Sequence, residues 1–169
     1  MILAIDPGCT ESAYVLMRKD LKPIEFLKVA NTELLKIIND EGCKQHNFAI
    51  EMVAHYGTGM PAGKEIFDTC FWIGRFWHEA ERMRYKNMQF IYRKHEKINL
   101  CGNMKAKDGN IIQALKDRFG DKGTKANPGW FYGFKADCWQ AYAVGVTYHD
   151  LYCTTIKSSA SLADQPFVD

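Results

Sequence analysis

Three acidic residues stand out because their surroundings are wrong for ordinary surface carboxylates. Asp6 ends the apolar run Met1-Ile2-Leu3-Ala4-Ile5 and is followed at once by Pro7 and Gly8. A short apolar run stopped by two turn-forming residues reads as a strand covered on both faces, with the acid delivered to its edge. Asp before Pro and Gly also organises turns, so Asp6 alone supports both readings equally. Glu51 breaks the tie, because it is the single charge in a second apolar run, Asn47-Phe48-Ala49-Ile50-Glu51-Met52-Val53. A carboxylate in a core strand is costly unless it is paired or binds a metal.

The third acid, Asp137, opens the last helical pattern of the chain beside an otherwise apolar face. Taken alone it reads as an acid favoured by the helix macrodipole. A strand order of 3-2-1-4-5 would set the first and fourth strands side by side and let Asp6 and Glu51 meet the last helix at one sheet edge. Clustered carboxylates suit Mg²⁺ or Mn²⁺, and two such ions about 3.5–4 Å apart activate water and stabilise a leaving oxygen in phosphodiester cleavage. The chemistry implied is metal-assisted hydrolysis of nucleic acid.

The elements that must position these acids follow from periodicity. Met1–Ile5, Ser12–Met17 and Ile24–Val29 read as strands. Asn31 or Thr32 caps a helix through Ile38, ended by Glu41-Gly42, and the Glu51 strand follows. The loop from Ala54 to Gly63 leads to a long aromatic helix, Lys64–Arg84, a core stripe that also suits a dimer interface. Met88–Tyr92 is a fifth strand. A basic segment, Arg93–Lys97, and a short apolar piece ending at Gly102 precede an amphipathic helix over Asp108–Phe119, with Asp108 expected as its N-cap. The Gly, Lys and Asn-rich stretch from Asp121 to Phe134 reads as a mobile or substrate-touching loop. The last helix spans about Ala136–Tyr152. One domain is expected over residues 1–156, followed by a loose Ser/Ala-rich tail at 157–169.

Composition sets the outer bounds. The 169 residues are 47% hydrophobic and 25% charged, enough for one sizeable core. No apolar segment reaches the roughly 18 residues needed to span a bilayer, and the start lacks signal-peptide features. A cytoplasmic protein with no membrane partner is expected. Six scattered cysteines, with no CxxC pair, read as reduced core thiols. The net charge of +2 does not decide for or against a nucleic-acid partner. The concentration of Lys and Arg between Arg75 and Lys125 does favour a polyanion held over an acidic site, although any single Lys there reads as solvated.

Taken in order, Ala4-Ile5-Asp6-Pro7-Gly8, Ile50-Glu51, Leu100-Cys101-Gly102-Asn103 leading to Lys105-Ala106-Lys107-Asp108, and the closing run from Asp137 to Thr147 resemble the RuvC-like Holliday junction resolvases of the ribonuclease H-like superfamily, particularly the versions carried by bacteriophages. The resemblance covers roughly residues 1–152. It implies an α/β fold with a five-stranded mixed sheet in the order 3-2-1-4-5, strand 2 antiparallel, flanked by helices. It also implies a homodimeric, Mg²⁺-dependent endonuclease, with Mn²⁺ as a substitute and two ions per site, that nicks branched DNA symmetrically. If the chain is phage-encoded, its place is the bacterial host cytoplasm. The family's metal-binding acids fall on Asp6, Glu51 and Asp137. Gln140 stands where a second acid three residues on would share the helix face. Either three carboxylates suffice, or Gln140 coordinates through its neutral carbonyl, or Asp108 or His149 supplies the missing ligand. Lys107 would stabilise charge on the scissile phosphate. Arg93, Lys94, Lys97 and Lys105 would hold DNA phosphates, and Tyr56 would wedge into the junction.

Two other classes remain open. Sugar kinases and actin-like ATPases also start with an acid on this strand, but the chain is far shorter than those duplicated proteins and lacks a further glycine-rich phosphate cradle, so no nucleotide cofactor is expected. A catalytically inactive branched-DNA-binding protein, with Gln140 marking lost chemistry, is the alternative that metal dependence separates.

Overall fold

Strand β1, Ile2–Asp6, is the centre of a five-stranded sheet in the order β3-β2-β1-β4-β5. The computed structural model describes residues 1–40, 46–54 and 63–154. Strands β2 (Glu11–Met17) and β3 (Pro23–Ala30) run antiparallel to their neighbours, while β4 (Asn47–Met52) and β5 (Lys86–Tyr92) continue the sheet in parallel with β1. This is the mixed sheet implied by the resemblance, strand 2 antiparallel included. The helices are α1 (Asn31–Asn39), α2 (Lys64–Arg82), α3 (Arg93–Cys101), α4 (Asp108–Phe119) and α5 (Ala136–Tyr148), the last continuing into a π-helical turn, His149–Cys153. Among the described residues no helix is long and apolar enough to cross a membrane.

Alternation along the strands divides the interior into two layers. Leu3, Ile5, Tyr14, Phe48 and Ile50 face α1 and α2. Ile2, Ala4, Ala13, Val15, Ala49 and Ile91 face α5 and the edges of α3 and α4. The α5 side of β1, β2 and β4 is rich in alanine, so the helix lies close. A Cβ on Gly145 would come within 3.0 Å of Ala4 Cβ and closer still to Met17, so glycine is what lets α5 approach β1. The same parity puts Asp6, Glu51 and Lys28 on the α5 face.

Several local expectations change. Ala30, rather than Asn31 or Thr32, precedes α1, because the Asn31 side chain is spent elsewhere. The basic segment 93–97 begins helix α3, and α2 stops at Arg82 rather than Arg84. The stretch 121–134 is anchored: Phe131 and Phe134 are fully buried against Trp139 and Tyr142, and Trp130 Nε1 donates to the Tyr142 hydroxyl at 3.0 Å. Five aromatic and glycine positions in a row, Trp130 to Phe134, carry more burial energy than the polar residues before them carry mobility. Of the described cysteines only Cys138 is buried, and Cys9, Cys70, Cys101 and Cys153 are partly exposed thiols. Glu41-Gly42 and residues 157–169 lie outside the described residues.

Candidate active site

Asp6 and Glu51 sit one residue beyond the paired Ile5 and Ile50, at the C-terminal ends of adjacent parallel strands. Their carboxyl groups share a hydrogen bond. Burial, and then the Glu51 charge, push Asp6 up to about 8, and burial raises Glu51 as well. Two carboxylates this close cannot both stay ionised without a cation between them. They line a cleft of about 280 Å³ with Pro7, Arg93 and the chain leaving β4.

A buried network fixes the turn that carries Asp6. Gly8 N–H donates to Ser12 Oγ at 3.1 Å, Ser12 Oγ donates to Asn31 Oδ1 at 2.6 Å, and Asn31 Nδ2 donates back to Gly8 O at 2.9 Å. A Cβ on Gly8 would lie 2.4 Å from Glu11 O, so the tight return into β2 requires glycine.

Arg93 closes the cleft on the β5 side. Its Nη1 lies 2.6 Å from Glu96 Oε2 and its Nη2 lies 2.5 Å from Asp108 Oδ1. Glu96 is wholly buried, its other oxygen has no partner among the described residues, and burial followed by the Glu51 charge pushes it up to about 9. Asp108 is the first residue of α4 and not its cap. The preceding Lys107 backbone N–H donates to Asn110 Oδ1 at 2.9 Å instead. Lys107, Lys105 and Lys94 are exposed and Lys97 is partly exposed, with the Lys94 ammonium 5.9 Å above the Tyr92 ring.

Asp137 is in the first turn of α5, where its charge still reaches Asp6, but it does not join the Asp6–Glu51 pair as a third close ligand. Among the described residues no three acidic, histidine or cysteine side chains are grouped to hold a metal. Asp137 Oδ2 instead lies 2.8 Å from Lys28 Nζ, an interaction that raises the Lys28 pKa. Gln140, one turn on, has a buried Oε1 without a partner among the described residues. His149 is about 18 Å along the helix from Asp137 and lies 3.5 Å from Asp150, which Arg118 and Asn99 hold at 2.5 to 3.0 Å. Tyr56 and its neighbours His55 and Met60 lie outside the described residues.

Two residues of this site escape a reading of the sequence, Lys28 and Glu96. Lys28 belongs to a largely exposed edge strand that resembles any solvated edge. Glu96 is hidden in the charged run Arg93-Lys94-His95-Glu96-Lys97, where only its i, i+3 spacing from Arg93 hints at a pair. The donor set fits a hard divalent cation, since Asp6 and Glu51 would offer it carboxylate oxygens at the ends of adjacent strands.

No protein-family model matches this chain, and no curated protein matches it in sequence. Solved structures do match in shape. The structure of T. thermophilus RuvC in complex with Holliday junction substrate superposes with a TM-score of 0.66 at 15% identity, covering 91% of this chain and 94% of that one. The structure of Thermus thermophilus RuvC superposes with a TM-score of 0.63 at 15% identity, covering 91% and 95%. With the sheet order and the crossing of α5 over β1 already in hand, the likeness in fold extends over nearly the whole length of both chains: this protein has the fold of RuvC.

Proposed function

We propose that this protein is a divalent-metal-dependent endonuclease that resolves Holliday junctions and other branched DNA. The observation that carries the reading is the Asp6–Glu51 pair, two carboxyl groups forced together at the ends of adjacent strands in a RuvC-like fold. A structural role would not require a second acid at this edge, since one carboxylate suffices to organise a turn.

When bound, Mg²⁺ or Mn²⁺ supplies an acidified water and charge compensation at the phosphate. Asp6 and Glu51 would hold it through their carboxylate oxygens, their shared proton passing to solvent. The water oxygen forms a bond to phosphorus, one phosphorus–sugar oxygen bond breaks, the water proton passes to solvent and the leaving oxygen takes a proton in return. Lys107, exposed before α4, stabilises charge on the scissile phosphate, while Lys94, Lys97 and Lys105 hold the backbone without reading sequence. Arg93, lining the cleft, would meet the DNA backbone there, and Tyr56 would be the wedge into the junction.

Paired nicks call for two copies related by a twofold axis. The exposed Phe67 and Phe71, one turn apart on α2, support a homodimer through that helix, on the sheet face opposite the cleft. Residues 1–156 then form the nuclease domain and 157–169 a tail, in a protein that works in the cytoplasm, in a bacterial host if phage-encoded.

The test is cleavage of a synthetic four-way junction against linear duplex, in Mg²⁺, Mn²⁺ and EDTA, comparing wild type with Asp6→Asn. Metal-dependent paired nicks that vanish in the variant support the reading. Tight junction binding with no cutting in either metal would replace it with that of a binding protein on the same fold.

A further inference from the structure

The first turns of α3 and α4 meet beside the cleft, and one guanidinium joins them. Glu51 pairs with Ile91 on β5, so Arg93, two residues further on, leaves the sheet at the same end as the carboxyl pair. It lines the cleft, and its charge reaches both Asp6 and Glu51. The same turn of α3 supplies Glu96, and the first residue of α4 supplies Asp108.

The two bonds of Arg93 are unlike each other. Nη1 donates to the Glu96 carboxyl, which has no solvent exposure, while Nη2 donates to Asp108, whose side chain is 67% exposed. Water competes for Asp108 and does not reach Glu96, so the first bond anchors the guanidinium and the second is readily replaced. A phosphate offers Nη2 what a carboxylate offers, anionic oxygens matched to a planar fork of N–H donors. Asp108 thus stands where a phosphate oxygen would, and while it stays there it offsets the charge that would draw DNA to this wall of the cleft. Lys107, the residue before it, is exposed, so a DNA backbone held by Lys107 passes one residue from this contact.

We propose that in the free protein Asp108 occupies the place of a DNA phosphate on Arg93, and that an arriving junction displaces it while Glu96 keeps the guanidinium at the cleft. The proposal rests on the branched-DNA reading and adds to it a competitor built into the chain, which DNA must replace before Arg93 can meet the backbone.

The experiment is a double-mutant cycle on Arg93 and Asp108, read as binding of a fluorescent four-way junction to the full chain in EDTA. Asp108→Asn should bind about three- to tenfold more tightly than wild type. In an Arg93→Met background the same change should gain less than about twofold. Repulsion between Asp108 and DNA that acts without Arg93 would leave the gain in place there, and that result, or no gain from Asp108→Asn alone, would overturn the proposal. Because Arg93→Met disturbs a buried pair, phenylglyoxal modification mapped by mass spectrometry supplies a reading with Arg93 present. Arg93 should react faster in Asp108→Asn than in wild type, and saturating junction should slow it. Equal reactivity of Arg93 in that variant with and without junction would also overturn the proposal. Cleavage of the same junction by wild type in Mg²⁺ or Mn²⁺ tests the nuclease reading separately. A protein that cuts but fails the cycle keeps its function and loses this contact, whereas one that binds no junction in any form loses both.

Discussion

Arg93 and Lys28 stand on opposite sides of the same carboxylate pair, one beyond β5 and the other on β3, and they are held in different ways. The Arg93 guanidinium is mostly buried, fixed by two close ion pairs, and one of its partners, Glu96, has no solvent exposure at all. The Lys28 and Asp137 side chains are each nearly half exposed. A buried pair is over-determined by its surroundings and is costly to break, whereas an exposed pair can be rearranged cheaply. The cleft therefore has one wall whose charge is part of the fold and one wall whose charge is free to follow the substrate.

Breaking the buried side should have the largest effect. Arg93→Met leaves the buried Glu96 carboxyl without its donor and should cost about 1–3 kcal/mol in chemical denaturation. If Arg93→Met alone proved neutral, the contrast between the walls would disappear.

Proton linkage gives the next effect. Asp6 holds its proton up to about 8 in the folded protein but releases it near 4 when unfolded. Between those values the folded state binds more protons, so the metal-free protein should lose stability as pH rises from about 4 towards 8. Asp6→Asn should flatten that decline and be the more stable protein at pH 8, by more than about 1 kcal/mol, even though it is inactive. Thermal melts across pH, with and without Mn²⁺, check both statements.

The exposed side should respond far less. Lys28→Met should change stability by no more than about 0.5 kcal/mol in chemical denaturation. The smallest effects belong to the lysines away from the pair. Removing Lys94, Lys97 or Lys105 should each weaken junction binding evenly across sequences and lower the salt dependence by about one counterion.

The same contrast explains what could be read from the sequence. Asp6 and Glu51 are legible because a lone acid in an apolar strand violates a local pattern, whereas the strand order came from the resemblance that the ordered motifs carry. Glu96 is not legible, since its burial is created by packing of α3 and α4 around Arg93, and the run that contains it looks solvated. Lys28 is not legible either: its partner is more than a hundred positions away, and only the β1–β2–β3 register joins them. The stretch 121–134 was legible in part, because its polar first half hid the aromatic cluster, Trp130 to Phe134, that anchors it. Asn31 looked like a helix cap because its other use, bonding Gly8 and Ser12, depends on β2 and β3 returning the chain to β1.

The most direct test of the central claim is a crystal structure of the protein with Mn²⁺, read from anomalous scattering at the metal. The account predicts a peak about 2.0–2.3 Å from carboxylate oxygens of both Asp6 and Glu51, with Arg93 still bound to Glu96 and Asp108. A well-occupied ion elsewhere, with the Asp6–Glu51 pair still sharing its proton, would contradict it.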